Sequence, residues 1–261
     1  MATEVSPAAP AAAVPDPTET LARVVESTAH LLTTAEHFDD AAVREPSRLP
    51  GWSRGHVLTH LARNADALVR LLTWAATGTV TPMYASPESR DADIEAGAGR
   101  GAEHLLTDLR ESCERFAVQA ARMGPQQWSA PIEARRGGPQ PAAWIAWWRL
   151  EEVLVHHVDL GAAYSPAHWP AGFTEPELAL VASRFNNPVF TPDSPAFRLH
   201  AEDEGEDAHA WYGVHSDPHD AATPLVRGPS AALVAWLIGR SNGDGLNVEP
   251  HGALPKPPEW K

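Results

Sequence analysis

A single cysteine, Cys113, stands in the 261 residues, so no internal disulfide can form. That excludes a small secreted scaffold stapled by disulfides and fits a reducing cytoplasm. Lysine is nearly absent: Lys256 and Lys261 are the only two, and arginine carries the rest of the positive charge. The formal net charge is -14, with no basic cluster that would make a face for nucleic acid or for an anionic membrane surface. No run approaches the roughly 18 uninterrupted apolar residues that cross a bilayer. Residues 1–17 are rich in Ala and Pro but lack the basic start and apolar core of a signal peptide, and read as a disordered tail. What remains has an ordinary globular balance, 43% hydrophobic and 21% charged.

The first half of the chain carries helical periodicity. Leu21, Val24, Val25, Leu31 and Leu32 predict a helix over residues 18–38. Ser53 is a good N-cap for a second helix, residues 54–77, which Gly78 ends. A third is expected over residues 92–123, loosened by Gly97, Gly99 and Gly101. A Gly/Pro-rich loop, residues 137–141, leads to a fourth over residues 141–164. Four such helices predict a four-helix bundle over residues 18–168. Beyond it the pattern is mixed: a helix over 175–190, strands over 197–201, 208–214 and 225–229, an apolar helix over 230–239 and a last strand over 246–249. Residues 169–261 therefore read as a small α+β domain, and the whole chain as mainly α with an α+β C-terminal part.

Chemistry concentrates on the fourth helix. Apolar residues surround most of it, yet Arg149, Glu152, His156 and Asp159 recur at steps of three and four and form one polar stripe. Buried charge is costly unless it is paired or bound to metal. Glu152 and His156, four apart, are the only carboxylate–imidazole pair at chelating offset on this helix; Glu151 and His157 have Val155 and Val153 at theirs. A catalytic zinc site needs a third protein ligand and an open fourth position. The second helix offers His56 and His60. His60 lies nearer the apolar stripe through Val57, Leu61 and Leu68, so it is the favoured ligand. Two imidazoles and one carboxylate suit zinc without excluding other divalent metals. A competing reading leaves the His–Glu pair structural and pairs Arg149 with Glu152.

Four segments carry a resemblance: Leu49 to Asp66 (LPGWSRGHVLTHLARNAD), Ser89 to Arg100 (SRDADIEAGAGR), Arg149 to Leu160 and Ala235 to Arg240 (AWLIGR). Together they resemble the mycothiol-dependent maleylpyruvate isomerases of actinobacteria. The resemblance implies a DinB-like four-helix bundle followed by a small α/β domain similar in shape to sterol carrier proteins. It implies zinc on His60, Glu152 and His156, the same three residues that periodicity selects, and an essential arginine that falls on Arg240. It implies mycothiol as a cofactor and a small-molecule electrophile as substrate. Zinc-activated thiolate addition to the cis double bond of maleylpyruvate, bond rotation and elimination would then give fumarylpyruvate. One departure is visible: members often carry Glu where this chain has Leu154, a position outside the ligand offsets.

Two rivals stay open. One is a zinc-dependent mycothiol S-transferase or thiol-exchange enzyme acting on another electrophile. The other is a non-enzymatic carrier of an apolar ligand. Without the resemblance, Arg240 reads as a helix C-terminal arginine facing the helix dipole. Cys113, flanked by Glu111 and Glu114, reads as a structural thiol rather than a nucleophile. His200, His209, His215 and His219 fall in expected edge strands and a turn, and read as a solvated surface.

Overall fold

The computed structural model describes residues 14–134, 138–187, 195–204 and 211–260. The chain divides into two compact units, Val14–Tyr164 and a second that starts at Ser165. The first is helical, and the second packs helices against a small sheet. Among the described residues no helix is long and apolar enough to cross a membrane.

The first unit is built on α1 (Pro17–Glu36), α2 (Arg54–Thr77), α4 (Ala102–Ala120) and α6 (Trp144–Asp159), with α3 (Pro87–Ala98) laid along α2. Asp16 caps α1 through two backbone amides, so the helix starts inside the stretch expected to be a tail; residues 1–13 lie outside the described residues. Ser53 caps α2, and Gly78 ends it in the left-handed region at φ 73°. Val57, Leu58 and Leu61 of α2 meet Leu31 of α1, Leu105 and Leu109 of α4 and Val153 of α6 in one buried core.

The expected third helix is two helices. Its glycines explain the break. Gly99 closes α3 and Gly101 is the N-cap of α4. A Cβ on Gly97 would meet the Thr59 methyl at 2.5 Å, and one on Gly55 would collide with the Ala98 carbonyl. These two glycines let α3 lie directly on α2. The fourth helix is shorter than its periodicity predicts: Gly161, at φ 66°, follows its end. Part of the expected loop before it is a strand. A four-residue helical turn, α5 (Pro125–Trp128), leads into β1 (Pro131–Glu133), which pairs antiparallel with β2 (Pro139–Pro141). A two-stranded ribbon tolerates Pro139 and Pro141 because its outer edges need no amide donors.

In the second unit α7 (Ala171–Phe185) begins one turn before the expected start, because Phe173 and Thr174 are buried with the rest of its inner face. The sheet runs β4 (Trp211–Val214), β3 (Phe197–Ala201), β5 (Leu225–Gly228), β6 (Asn247–Glu249), with the β3–β5 pair parallel and the others antiparallel. Phe197, Leu199, Val214 and Val226 are buried, as are Leu233 and Val234 of α8 (Ser230–Leu237). The expected helix end at 188–190, His209 and the start of the 208–214 strand lie outside the described residues.

Candidate metal centre

His60 enters the core side of α2, while His56, one turn earlier, is spent on the helix end. The His56 ring engages the Ser53 hydroxyl through Nδ1 and Glu95 through Nε2. Glu152 and His156 lie one turn apart on α6, facing α2. His60 Nε2 lies 2.9 Å from Glu152 Oε2 and 3.1 Å from His156 Nε2, and that last nitrogen lies 3.2 Å from Glu152 Oε2. Three ligand-type atoms on two helices therefore converge on one point. Such atoms repel one another unless protons or a cation lie between them. Ligands about 2.0–2.1 Å from a tetrahedral zinc ion sit about 3.3–3.4 Å apart, so small outward shifts of these side chains would admit the ion.

The surroundings suit that role. His156 Nδ1 donates to Asp159 Oδ2 at 2.8 Å, and the Asp159 side chain is 1% exposed. A carboxylate behind a ligand imidazole fixes its tautomer and raises its basicity, leaving the Nε2 lone pair for the metal. The Trp52 ring tilts over His60 at 5.6 Å between centroids. The His60 side chain is 5% exposed and that of Glu152 is 22%, so what solvent contact the pair has is at Glu152.

The electrostatics divide the three residues. Burial lowers the His60 pKa to about 4, against the raising influence of Glu152. Burial pushes Glu152 upward, but its contacts with the two histidines outweigh that and hold it well below the usual carboxylate range. Burial lowers His156, yet the hydrogen bonds to Asp159 and Glu152 prevail and raise it. His60 is thus held toward the neutral imidazole and Glu152 toward the anion, while His156 holds its proton more tightly than a free imidazole, and metal binding competes with that proton.

The pairing of Arg149 with Glu152 does not occur. Arg149, 1% exposed, donates to the Leu61 carbonyl, to Asn64 Oδ1 and to Cys113 Sγ, and leaves Glu152 to the histidines. Cys113 is buried, in keeping with a structural thiol. Arg240 lies just past α8 in the second unit, where it donates to the Ile238 carbonyl at 2.8 Å. The solvated reading of the later histidines fails for His200. It sits on β3, an interior strand, is 9% exposed, stacks on Trp211 at 4.2 Å, and has no hydrogen-bond partner on either ring nitrogen among the described residues. His219 is exposed as expected.

Sequence reasoning left two neighbours without a role. Asp159 was visible in the polar stripe, and its offset of three from His156 was the available signal. Arg90, on α3, brings Nη2 to 3.3 Å from His60 Nδ1. No spacing within one helix could have announced that contact.

The sequence matches the family described as the mycothiol maleylpyruvate isomerase N-terminal domain over residues 24–161, and the MDMPI C-terminal domain over residues 168–259. The chain belongs to the mycothiol-dependent maleylpyruvate isomerase family. It is an enzyme of that family, and the mainly helical fold with its small C-terminal sheet is the family's fold. Two solved structures are similar to it: a crystal structure of the mycothiol-dependent maleylpyruvate isomerase and one of a histidine-to-alanine mutant under the same name. Each has 29% identity and a TM-score of 0.80, and the match covers 94% of this chain and 97% of the other. No curated protein matches the sequence.

Proposed function

We propose that this chain converts maleylpyruvate to fumarylpyruvate with mycothiol as cofactor and a divalent metal, zinc by the chemistry of the donors, held by His60, Glu152 and His156. The observation that carries the reading is the convergence of these three donor atoms at 2.9–3.2 Å beside a solvent-reached side, in a chain of this family. A metal held there by His60, Glu152 and His156 would supply a Lewis acid that favours the thiolate form of a thiol, the nucleophile for addition to the substrate's double bond.

The chain's own residues prepare that chemistry. His60 is held neutral by burial, so at neutral pH it brings no imidazolium charge for a cation to displace. Glu152 contributes the negative charge that favours a dication over two protons. Asp159 turns His156 so that Nε2 faces the cluster. Trp52 packs against the His60 ring, whose side chain is 5% exposed. Arg240 is assigned to a substrate carboxylate, following the family's pattern in the Ala235 to Arg240 segment.

The test joins metal analysis to turnover. The purified protein should hold one divalent metal per chain and consume maleylpyruvate, followed by its absorbance, only when mycothiol is present. His60→Ala should lose both. Arg240→Ala should lose turnover and keep the metal. Turnover of other electrophiles with mycothiol, and none of maleylpyruvate, would reassign the substrate.

A further inference from the structure

Burial along α6 leaves open a stripe that runs past the metal ligands. Trp144, Trp148, Glu151, Glu152 and His156 are partly exposed, and every other residue of the helix is buried. Trp144, Trp148, Glu152 and His156 follow one another at steps of four, so they lie along one side of the helix surface. A rise of 1.5 Å per residue sets Trp148 about 6 Å, and Trp144 about 12 Å, from Glu152 along the axis. Helical side chains lean toward the N-terminus, so Glu152 leans toward Trp148. Two indoles therefore lead away from the proposed ligands, starting where Glu152 has its solvent contact.

The other tryptophans near the cluster are accounted for by packing. Trp147 is 4% exposed, and Trp52 lies against the rings of His56 and His60. The indoles of Trp144 and Trp148 make no ring stack and no hydrogen bond among the described residues. Large aromatic surface left open on an otherwise buried helix marks a place where a ligand packs. An indole suits one kind of ligand well. Its flat apolar face takes the C–H face of a sugar or cyclitol ring, and its N–H donates to a ring hydroxyl. Mycothiol, on which the family depends, is an acetylated cysteine joined to a glucosamine–inositol pair. With the sulfur at the cluster, those two rings run out past Glu152, where α6 carries one indole on each of the next two turns.

We propose that Trp148, with Trp144 beyond it, is the platform on which the glucosamine–inositol portion of mycothiol stacks. This rests on the functional reading above and adds recognition of the thiol's carbohydrate part, which the metal ligands do not supply. The platform makes the chain select mycothiol over thiols that lack the rings.

The test uses the metal-loaded full chain as wild type, Trp148→Ala, Trp148→Phe and Trp144→Ala. Mycothiol and N-acetylcysteine, which has the same thiol without the rings, are titrated calorimetrically with no electrophile present. Wild type should bind mycothiol the more tightly. Loss of one stacked ring predicts about tenfold weaker mycothiol binding in Trp148→Ala and about threefold in Trp144→Ala. Trp148→Phe keeps a flat face and should lose less than Trp148→Ala. N-acetylcysteine affinity and metal content should stay at the wild-type level in all three. In turnover, Trp148→Ala should raise KM for mycothiol more than it lowers kcat, because the stack is alike in the ground and transition states. Unchanged mycothiol affinity in Trp148→Ala would overturn the platform while leaving the functional reading in place. So would equal losses on the two thiols, or loss of metal, since each marks a purely structural role. If wild type binds neither thiol, the functional reading itself falls. If the expected losses appear but maleylpyruvate is not turned over, the platform stands and only the substrate is reassigned.

Discussion

Replacing Asp159 by Asn tests the proposed metal centre without touching any of the three proposed ligands. The Asp159 carboxylate is 1% exposed and accepts from His156 Nδ1 at 2.8 Å. An Asn oxygen can still accept that hydrogen bond, so the ring orientation survives, but the negative charge behind the imidazole is gone. Two effects follow, both weakening the metal. His156 becomes a poorer electron donor, and the cation loses a favourable charge in a poorly solvated place. Outer carboxylates of this kind are worth about 10–100-fold in metal affinity, which is roughly 1.4–2.7 kcal/mol. Asp159→Asn should lie near the lower figure, and Asp159→Leu, which removes the acceptor as well, near the upper. The assay is competition for zinc against a chromophoric chelator, with His60→Ala as the zero-binding control. Zinc affinity within about twofold of wild type in Asp159→Leu would refute the reasoning, because His156 would then not depend on Asp159 for its tautomer.

Other changes probe what holds the centre together. Gly55→Ala places a methyl against the Ala98 carbonyl, and such overpacking should cost about 2 kcal/mol and lower Tm by roughly 4–8 °C in thermal unfolding. Arg149→Met leaves the Leu61 carbonyl and Asn64 Oδ1 without their donor in a buried place, and should destabilise by about 2 kcal/mol in urea. Adding Asn64→Leu should recover part of that loss, and strictly additive effects would show that the Arg149–Asn64 bond contributes nothing. Acid should weaken the metal-free protein. His60 titrates near 4 when folded and near 6.5 when unfolded, so between those values the unfolded chain binds more protons and stability falls as pH falls. Glu152, held low, adds to that loss below about its ordinary value of 4.5. His156, raised, acts oppositely: its contribution is complete below 6.5 and is lost as pH climbs through its folded value. Urea midpoints from pH 7 to pH 4 should drop, and His60→Ala should flatten the drop above pH 4.5.

Much of this centre is written locally. A helix repeats every 3.6 residues, so the offset of four between Glu152 and His156 places them on one face whatever the rest of the chain does. Ser53 before α2 and Gly78 after it set that helix's ends by local backbone chemistry, and expectation and structure agree there. Elsewhere local signals were outweighed. Gly97, Gly99 and Gly101 read as weak points in one helix, but one serves close packing and the other two end and begin separate helices. His200 read as surface because its strand was expected at a sheet edge. Its burial follows from the parallel pairing of β3 with β5, which moved the strand off the sheet edge.

The sequence by itself determined the helical stripe, the choice of Glu152 and His156 within their doublets, and the preference for His60 over His56, because each follows from angles along a single helix. Only the tertiary structure decided that Arg149 turns to Asn64 and Cys113 rather than to Glu152, and that Arg90 arrives behind His60. Those outcomes depend on how closely α2, α3, α4 and α6 approach. Helix approach is set by the side chains that are absent at Gly55 and Gly97 as much as by those present, and no periodicity in one strand of sequence records the distance between two helices.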